Sequence, residues 1–140
     1  MTLDEKKQAL IDDLSVIEDP QERFAFLIDQ ARNRPPLAPE HKVPEFLVEG
    51  CQSNLWLLPE YRNGRCYFST DSDSVITKGI AGLLTDFYSG SEPSEILACG
   101  PEFLGEVGIT QHLTPNRRNG LSGVWKKIQH FCESCLAASA

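Results

Sequence analysis

One cysteine stands in a setting that favours chemistry over packing. Cys51 follows Gly50 and precedes two small polar residues, Gln52 and Ser53, just ahead of the apolar run at residues 55–58. Glycine adopts backbone angles that other residues avoid, and a structural cysteine usually lies within an apolar run rather than before it. The pattern therefore predicts a turn that exposes the Cys51 sulfur.

A thiol at this position needs a second group to react at neutral pH. An ordinary cysteine has a pKa of about 8.5, so only a few per cent of it is thiolate. The residues next to Cys51 include no cation. The side chains that the fold could bring close are His112, as a base, and the arginines Arg62, Arg65, Arg117 and Arg118. The loop position alone leaves a functional thiol and an inert, half-buried one equally open.

The other cysteines carry weaker signals. The five cysteines, at positions 51, 66, 99, 132 and 135, are odd in number and irregularly spaced, unlike a secreted disulfide framework. We therefore expect reduced thiols. Cys132 and Cys135 form a CxxC pair, which can chelate zinc or cycle as a dithiol but lacks a second pair of ligands. We interpret these two as chance thiols near a fraying terminus, and Cys66 and Cys99 as packing residues.

Two further functions remain as alternatives on residue types. A zinc-binding module would use Cys132 and Cys135 together with two other cysteines. A thiol hydrolase would use Cys51 as the nucleophile, His112 as the base and Asp73 to orient that base. No sequence signature selects the hydrolase.

Composition limits the class of partner. The 140 residues fit one domain, residues 1–140, which would bury roughly two-thirds of its unfolded surface. The net charge of −7 and pI near 4.9 argue against binding nucleic acid, because acidic surfaces repel polyanions. The chain opens with charged residues, and no apolar run approaches the roughly 18 residues of a membrane span. We predict a cytoplasmic protein whose partner is another protein or a small substrate.

Periodicity and capping signals predict an α+β fold with helices at both ends. Thr2 caps a first helix that runs to about Ile17, and Asp19 followed by Pro20 begins a second. Four prolines then predict a loop over residues 34–44. Further helices are predicted after the polar residues 71–74, from Pro93, and from residues 114–115 onward.

Three short strands are predicted between the helical ends. Residues 46–48 and 55–58 lie on either side of Cys51, and the Asn63-Gly64 turn leads into residues 65–69. These segments predict a small antiparallel three-stranded sheet packed against the flanking helices. Cys51 would then lie on a loop at the sheet edge, where a partner can reach it.

Four separated motifs together resemble one known family. The cysteine tetrapeptide followed by Trp56, the acidic turn at residues 71–73, the Lys78-Gly79 pair and the segment 110–115 followed by Arg117, Asn119 and Gly120 occur in the order typical of the SufE family. The likeness spans about residues 50–120 and includes the flanking helices. It implies the SufE/IscU-like fold.

The resemblance implies a role in sulfur transfer. SufE proteins accept sulfur from a pyridoxal-phosphate-dependent cysteine desulfurase of the SufS or CsdA kind and stimulate that enzyme. In this chain Cys51 would carry the persulfide and pass its sulfur to a SUF-type iron-sulfur scaffold. The protein would be an accessory acceptor rather than an enzyme in its own right, either a monomer or a homodimer. It would hold no cofactor or metal, since the pyridoxal phosphate belongs to the partner.

The resemblance also suggests roles for individual residues. Arg117 would stabilise the sulfur anions or contact the desulfurase, while His112 is more often structural than basic in such a position. Asp73 would order the cysteine loop, in addition to capping a helix. Gly50, with Gln52 and Ser53, would act as the hinge that presents the thiol. The chain departs from the family at Asn116, where serine is common, and at the C-terminal CxxC pair.

Overall fold

The first two helices begin where their capping sequences predict. The computed structural model describes residues 2–48, 54–106 and 108–139. Helix α1 (Leu3–Ser15) starts with a complete capping box between Thr2 and Glu5, and ends slightly earlier than predicted. Helix α2 (Pro20–Arg32) follows Asp19, whose carboxylate accepts a hydrogen bond from the Gln21 backbone N–H at 3.0 Å.

The segment after α2 corrects the predicted first strand. It contains two short 3₁₀ turns, Pro39–His41 and Pro44–Phe46. Pro44 has no N–H for a strand ladder and its fixed φ suits the first position of a turn, so residue 46 ends a turn instead of starting a strand. Leu47 makes only an isolated antiparallel bridge to Trp56.

The sheet of the described residues therefore has two strands instead of three. Strands β1 (Leu55–Arg62) and β2 (Arg65–Ser72) are antiparallel, with Leu55 opposite Ser72. The predicted turn joins them, with φ values of +52° and +79° at Asn63 and Gly64. Strand β2 is longer than predicted because residues 70–72 continue the pairing before the next helix begins.

Helix α3 (Val75–Tyr88) is the central element of the core. Its N-cap is Ser74, and it packs along β2 and α2. Gly79 allows the close approach of α2, since a Cβ atom there would lie 3.0 Å from the Leu27 carbonyl oxygen and 3.4 Å from the Ala31 Cβ. The chain turns at Gly90, where φ is +87°.

The remaining helices close the core. They are α4 (Pro93–Leu97), α5 (Phe103–Glu106), a 3₁₀ turn at Thr110–His112 and α6 (Pro115–Ser139). On α6, Trp125 stacks on Tyr88 with ring centroids 5.2 Å apart, and the Tyr88 hydroxyl donates to the Cys99 carbonyl oxygen at 2.7 Å. None of the described helices is long and apolar enough to cross a membrane.

Candidate functional site

The predicted reactive segment lies between two residues that are held together. Gly50, Cys51, Gln52 and Ser53 fall outside the described residues. Val48 is the last described residue before this segment. Its N–H donates to the carbonyl oxygen of Leu55 at 2.7 Å. The chain that enters segment 49–53 therefore lies beside the chain that leaves it, at the start of β1.

Asn54 anchors the exit from segment 49–53. Its carbonyl oxygen accepts hydrogen bonds from the Asp73 N–H at 3.1 Å and from the Ser72 hydroxyl at 2.7 Å. Its side-chain amide donates to the Asp73 carboxylate at 2.8 Å. Asp73, which the motif singled out, thus contacts the residue three positions after Cys51.

Asp71 joins the proline-rich segment to the end of the sheet. Its side chain is buried and forms ion pairs with Lys42 at 3.1 Å and Lys78 at 3.5 Å. Its oxygens also accept the backbone N–H groups of Leu37 at 3.0 Å and Ser72 at 2.8 Å. Burial alone would raise the pKa of this carboxyl, but the hydrogen bonds from Lys42 and the two N–H groups, with the charge of Lys78, hold that pKa below its ordinary value.

Arg117 lies in the first turn of α6, beside the start of β1. Its backbone N–H is capped by the Thr114 hydroxyl at 3.3 Å. The residue is half-buried, and with Leu55, Thr77 and Leu113 it lines a hollow of about 10 Å³, the space of a single water molecule. The structure therefore brings this arginine close to Leu55, four residues after Cys51.

The other arginines considered as partners for Cys51 are elsewhere. Arg62 and Arg65 face each other at the far end of the hairpin, roughly 23 Å along the strands from Leu55. Arg62 pairs with Glu60, and Arg65 donates to the Gly90 carbonyl oxygen. Neither can serve a site at the start of β1.

The last two candidates are less informative. Arg118 is exposed on α6, and its N–H donates to the Thr114 carbonyl oxygen. His112 ends the 3₁₀ turn Thr110–His112, and its side chain lies outside the described part of the structure.

Sequence reasoning missed the role of two lysines in this region, both of which pair with Asp71. Lys42 lies over the Trp56 ring, with its Nζ atom 5.4 Å from the ring centroid, and Lys78 donates to the Arg34 carbonyl oxygen at 3.1 Å. The Lys78-Gly79 pair was a visible motif, but nothing around Lys42 indicates its role. Because both lysines form ion pairs with Asp71, their positive charge is partly neutralised. Their main effect is therefore to hold the region together.

A family model covers most of the chain. The model described as SufE, Fe-S metabolism associated domain, matches residues 8–132. The chain belongs to the SufE family.

Relatives support the same assignment. The chain is 36% identical over 127 residues to SufE-like protein 1, chloroplastic/mitochondrial, of Arabidopsis thaliana, covering 89% of this chain but only 34% of the plant protein. It is 33% identical over 134 residues to an uncharacterised SufE-like protein of Rhizobium etli, covering 92% and 90% of the two chains. The solution structure of a hypothetical protein from Thermus thermophilus has the same fold, with a TM-score of 0.77, 22% identity, and 94% and 96% coverage.

A basic groove leads away from the same end of this SufE-family chain. One wall is formed by residues 44, 45 and 47, just before segment 49–53, and the other by the middle of α6. The α6 wall carries Lys126, Lys127 and His130, whereas Glu45 supplies the one carboxylate among the lining residues. Lys127 also bridges the walls, donating to the Glu45 carbonyl oxygen at 3.0 Å. In a chain of net charge −7, this groove is locally positive.

The cysteines of the SufE-family chain outside segment 49–53 are all buried. Cys66, Cys99, Cys132 and Cys135 carry thiols and form no disulfide. We predicted that the CxxC pair consists of chance thiols near a fraying terminus. Both thiols are instead buried and face inward from α6. Within the described ranges, no group of three or more histidine, cysteine or acidic side chains could hold a metal ion, so nothing there supports a zinc module.

Proposed function

We propose that this SufE-family chain accepts sulfur onto Cys51 from the persulfide of a cysteine desulfurase and carries it onward for iron-sulfur cluster assembly. One observation carries the assignment of Cys51: the four described cysteines are buried within the protein core. A family concerned with Fe-S metabolism needs an accessible thiol for such a step, and Cys51 is the remaining cysteine.

The proposed step is an ordinary thiol exchange. The Cys51 thiolate attacks the outer sulfur of the partner's persulfide, and the partner's cysteine leaves as a thiolate. One sulfur–sulfur bond forms and one breaks, so no external oxidant or reductant is needed. Cys51 then holds the persulfide, and the desulfurase is free for another turnover.

The surrounding contacts support this use of segment 49–53. The segment leaves the fold at Val48, whose backbone is hydrogen-bonded to that of Leu55. It rejoins the fold at Asn54, which is hydrogen-bonded to Asp73. Arg117 lies beside Leu55, where a positive charge favours the thiolate and persulfide anions of Cys51. A cation in the first helical turn is opposed by the helix dipole, so its presence there favours a role beyond capping. Asp73 is a positioning residue in this proposal.

The partner supplies the cofactor and most of the catalysis. A desulfurase releases sulfur from L-cysteine with its own pyridoxal phosphate, while this chain clears the product persulfide and is an accessory protein, not an enzyme by itself. The basic groove that begins beside residue 47 supports docking of an acidic surface of that enzyme, through charge complementarity. The final acceptor in this proposal is an iron-sulfur scaffold of the SUF type.

Mass spectrometry of intact protein tests the proposal. The chain is mixed with a desulfurase and L-cysteine without reductant, and the mass of each single cysteine variant is measured. We expect the wild type and Cys99→Ser, a buried control, to gain one sulfur, and Cys51→Ser to gain none and to lose stimulation of sulfide release. If Cys51→Ser is still sulfurated and still stimulates the enzyme, the assignment is wrong.

A further inference from the structure

The first part of α6 is the positive region of an acidic protein. Residues 115–132 include four lysines and arginines and one histidine, but no aspartate or glutamate. All 20 acidic residues of the chain therefore lie elsewhere. The two lysines and the histidine of this stretch line the basic groove. Because opposite charges attract across an interface, the groove favours an anionic ligand.

The two walls of the basic groove differ in chemistry. The α6 wall carries a row of exposed polar residues three or four positions apart, namely Asn119, Ser122, Lys126 and His130. Lys126 forms no ion pair with any residue that the structure describes, so its ammonium group is available to a ligand. The opposite wall presents the apolar residues Pro44 and Leu47. A ligand that fills the groove meets donors on one side and an apolar surface on the other.

The dimensions of the groove suit an extended chain. From residue 119 to residue 130 the helix rises roughly 16 Å. The groove has a volume of about 920 Å³, which over that length gives a width of about 8 Å. An α-helix with its side chains is wider, at about 10–12 Å. An extended segment rises about 3.3 Å per residue, so about five residues span the groove.

We propose that the basic groove binds an extended segment of the desulfurase in which acidic and apolar residues alternate. Successive side chains of an extended chain point to opposite sides. The acidic ones therefore face Lys126 and His130, while the apolar ones face Pro44 and Leu47. The choice of partner rests on the proposed function: the groove begins at residue 47, so an enzyme that reaches segment 49–53 also reaches the groove.

Binding of a synthetic peptide tests the groove without sulfur transfer. The probe is a dye-labelled peptide of five residues that alternates glutamate and valine, titrated against the Cys51→Ser protein by fluorescence anisotropy. We expect saturable binding that Lys126→Glu weakens about five- to tenfold. Lys7→Glu, the same change of charge on α1, should leave it unchanged. A peptide of the same composition with its glutamates together should bind about fivefold more weakly, because it cannot match both walls.

A second variant fills the groove without changing its charge. Ser122 is exposed on the α6 wall, so Ser122→Trp places a large ring in the groove and leaves the core side of the helix intact. We expect it to weaken peptide binding at least fivefold with Tm unchanged. Ser15→Trp, at an exposed position at the end of α1, is the matched control and should bind the peptide as before.

Competition identifies the partner. Excess unlabelled peptide should weaken binding of the Cys51→Ser protein to the desulfurase about five- to tenfold, as measured by biolayer interferometry. Peptide binding without competition would overturn the proposal, because the groove would then serve another protein. Absence of peptide binding, equal binding of the two peptides, or equal losses in Lys126→Glu and Lys7→Glu would also overturn it. None of these measurements depends on sulfur reaching Cys51, so a failure here is distinct from a failure of the proposed function.

Discussion

Asn54 and Asp73 meet where segment 49–53 rejoins the fold. Their side chains share one hydrogen bond of 2.8 Å, and the Asp73 backbone holds the Asn54 carbonyl oxygen. The side-chain bond is exposed, so its net contribution is at the low end of the usual range, about 0.5–1 kcal/mol. It restrains the segment that must present Cys51 to a partner in the proposed function.

We expect Asn54→Ala and Asp73→Ala each to slow sulfur uptake by Cys51 by about threefold, because losing about 0.7 kcal/mol from the hydrogen bond that positions segment 49–53 changes a rate by that factor. Single-turnover mass spectrometry with persulfidated desulfurase measures the rate. Asp29→Ala, which removes an exposed carboxylate on α2, is the control and should change nothing. The double change should match either single change; additive effects would show that the hydrogen bond is not the restraint.

At the scale of elements, the proline-rich segment is held to the sheet by one carboxylate. Asp71 pairs with Lys42 before the sheet and with Lys78 on α3, and its side chain is only 5% exposed. Breaking a buried ion pair from one side leaves an uncompensated charge, which typically costs about 3–5 kcal/mol. This contact therefore matters for stability more than the exposed pairs do.

Asp71→Asn should lower the free energy of unfolding by about 3 kcal/mol at pH 7. The pKa of Asp71 is lowered in the folded protein, so its contribution is fully present above the unfolded value of about 3.9 and is lost as the pH falls through the folded value. Urea titrations should therefore show the gap between wild type and variant narrowing below about pH 4. Asp86→Asn, at an exposed pair with Arg34, is the control, with a loss below about 1 kcal/mol. A gap unchanged at pH 2.5 would contradict this account.

The contact between α2 and α3 depends on the missing side chain of Gly79. An added Cβ would press on the Leu27 carbonyl oxygen, and overpacking typically costs about 1–3 kcal/mol, against a helix-propensity gain of about 1 kcal/mol. Gly79→Ala should therefore lower stability by about 1 kcal/mol in chemical denaturation. Gly105→Ala, whose Cβ would make an ordinary 3.4 Å contact with Thr110, should not. Equal effects of the two changes would rule out the packing explanation.

The helices were easier to predict than the strands because the signals that begin a helix lie close together in the sequence. The capping pairs of α1 and α2 act within three residues, so the sequence displays them directly. The error at residues 46–48 arose because an apolar triplet also suits the end of a proline-led turn. The contacts of Asp71 with Lys42 and of Asp73 with Asn54 join residues 19 or more positions apart. Such pairs depend on strand register and helix placement, which spacing alone does not define.

At the scale of the whole molecule, charge is unevenly distributed. The net charge is −7, yet the groove beside residue 47 presents Lys126, Lys127 and His130. The 25 residues of α6 connect the regions discussed above, with Arg117 near one end and Cys135, roughly 27 Å along the helix, near the other. The groove proposed for docking lies between them, at residues 119–130 of α6.

Lys126→Glu should weaken docking of the desulfurase, because Lys126 is exposed in the groove and the change reverses its charge. We expect the concentration of this protein needed for half-maximal stimulation to rise about five- to tenfold, an effect of about 1–1.4 kcal/mol, with Tm unchanged. Lys7→Glu makes the same change of charge on α1 and should leave stimulation as it was. If both variants lost stimulation equally, the effect would come from the net charge of the protein and not from the groove.

The chain's two tryptophans stand in unlike surroundings. Trp125 is stacked on Tyr88, whereas Trp56 lies beneath the Lys42 ammonium group, five residues after Cys51. Intrinsic fluorescence can therefore separate two signals without any attached dye. In a Trp125→Phe protein, the remaining emission comes from an indole at the start of the hairpin, so its quenching would report sulfur loading or docking in real time.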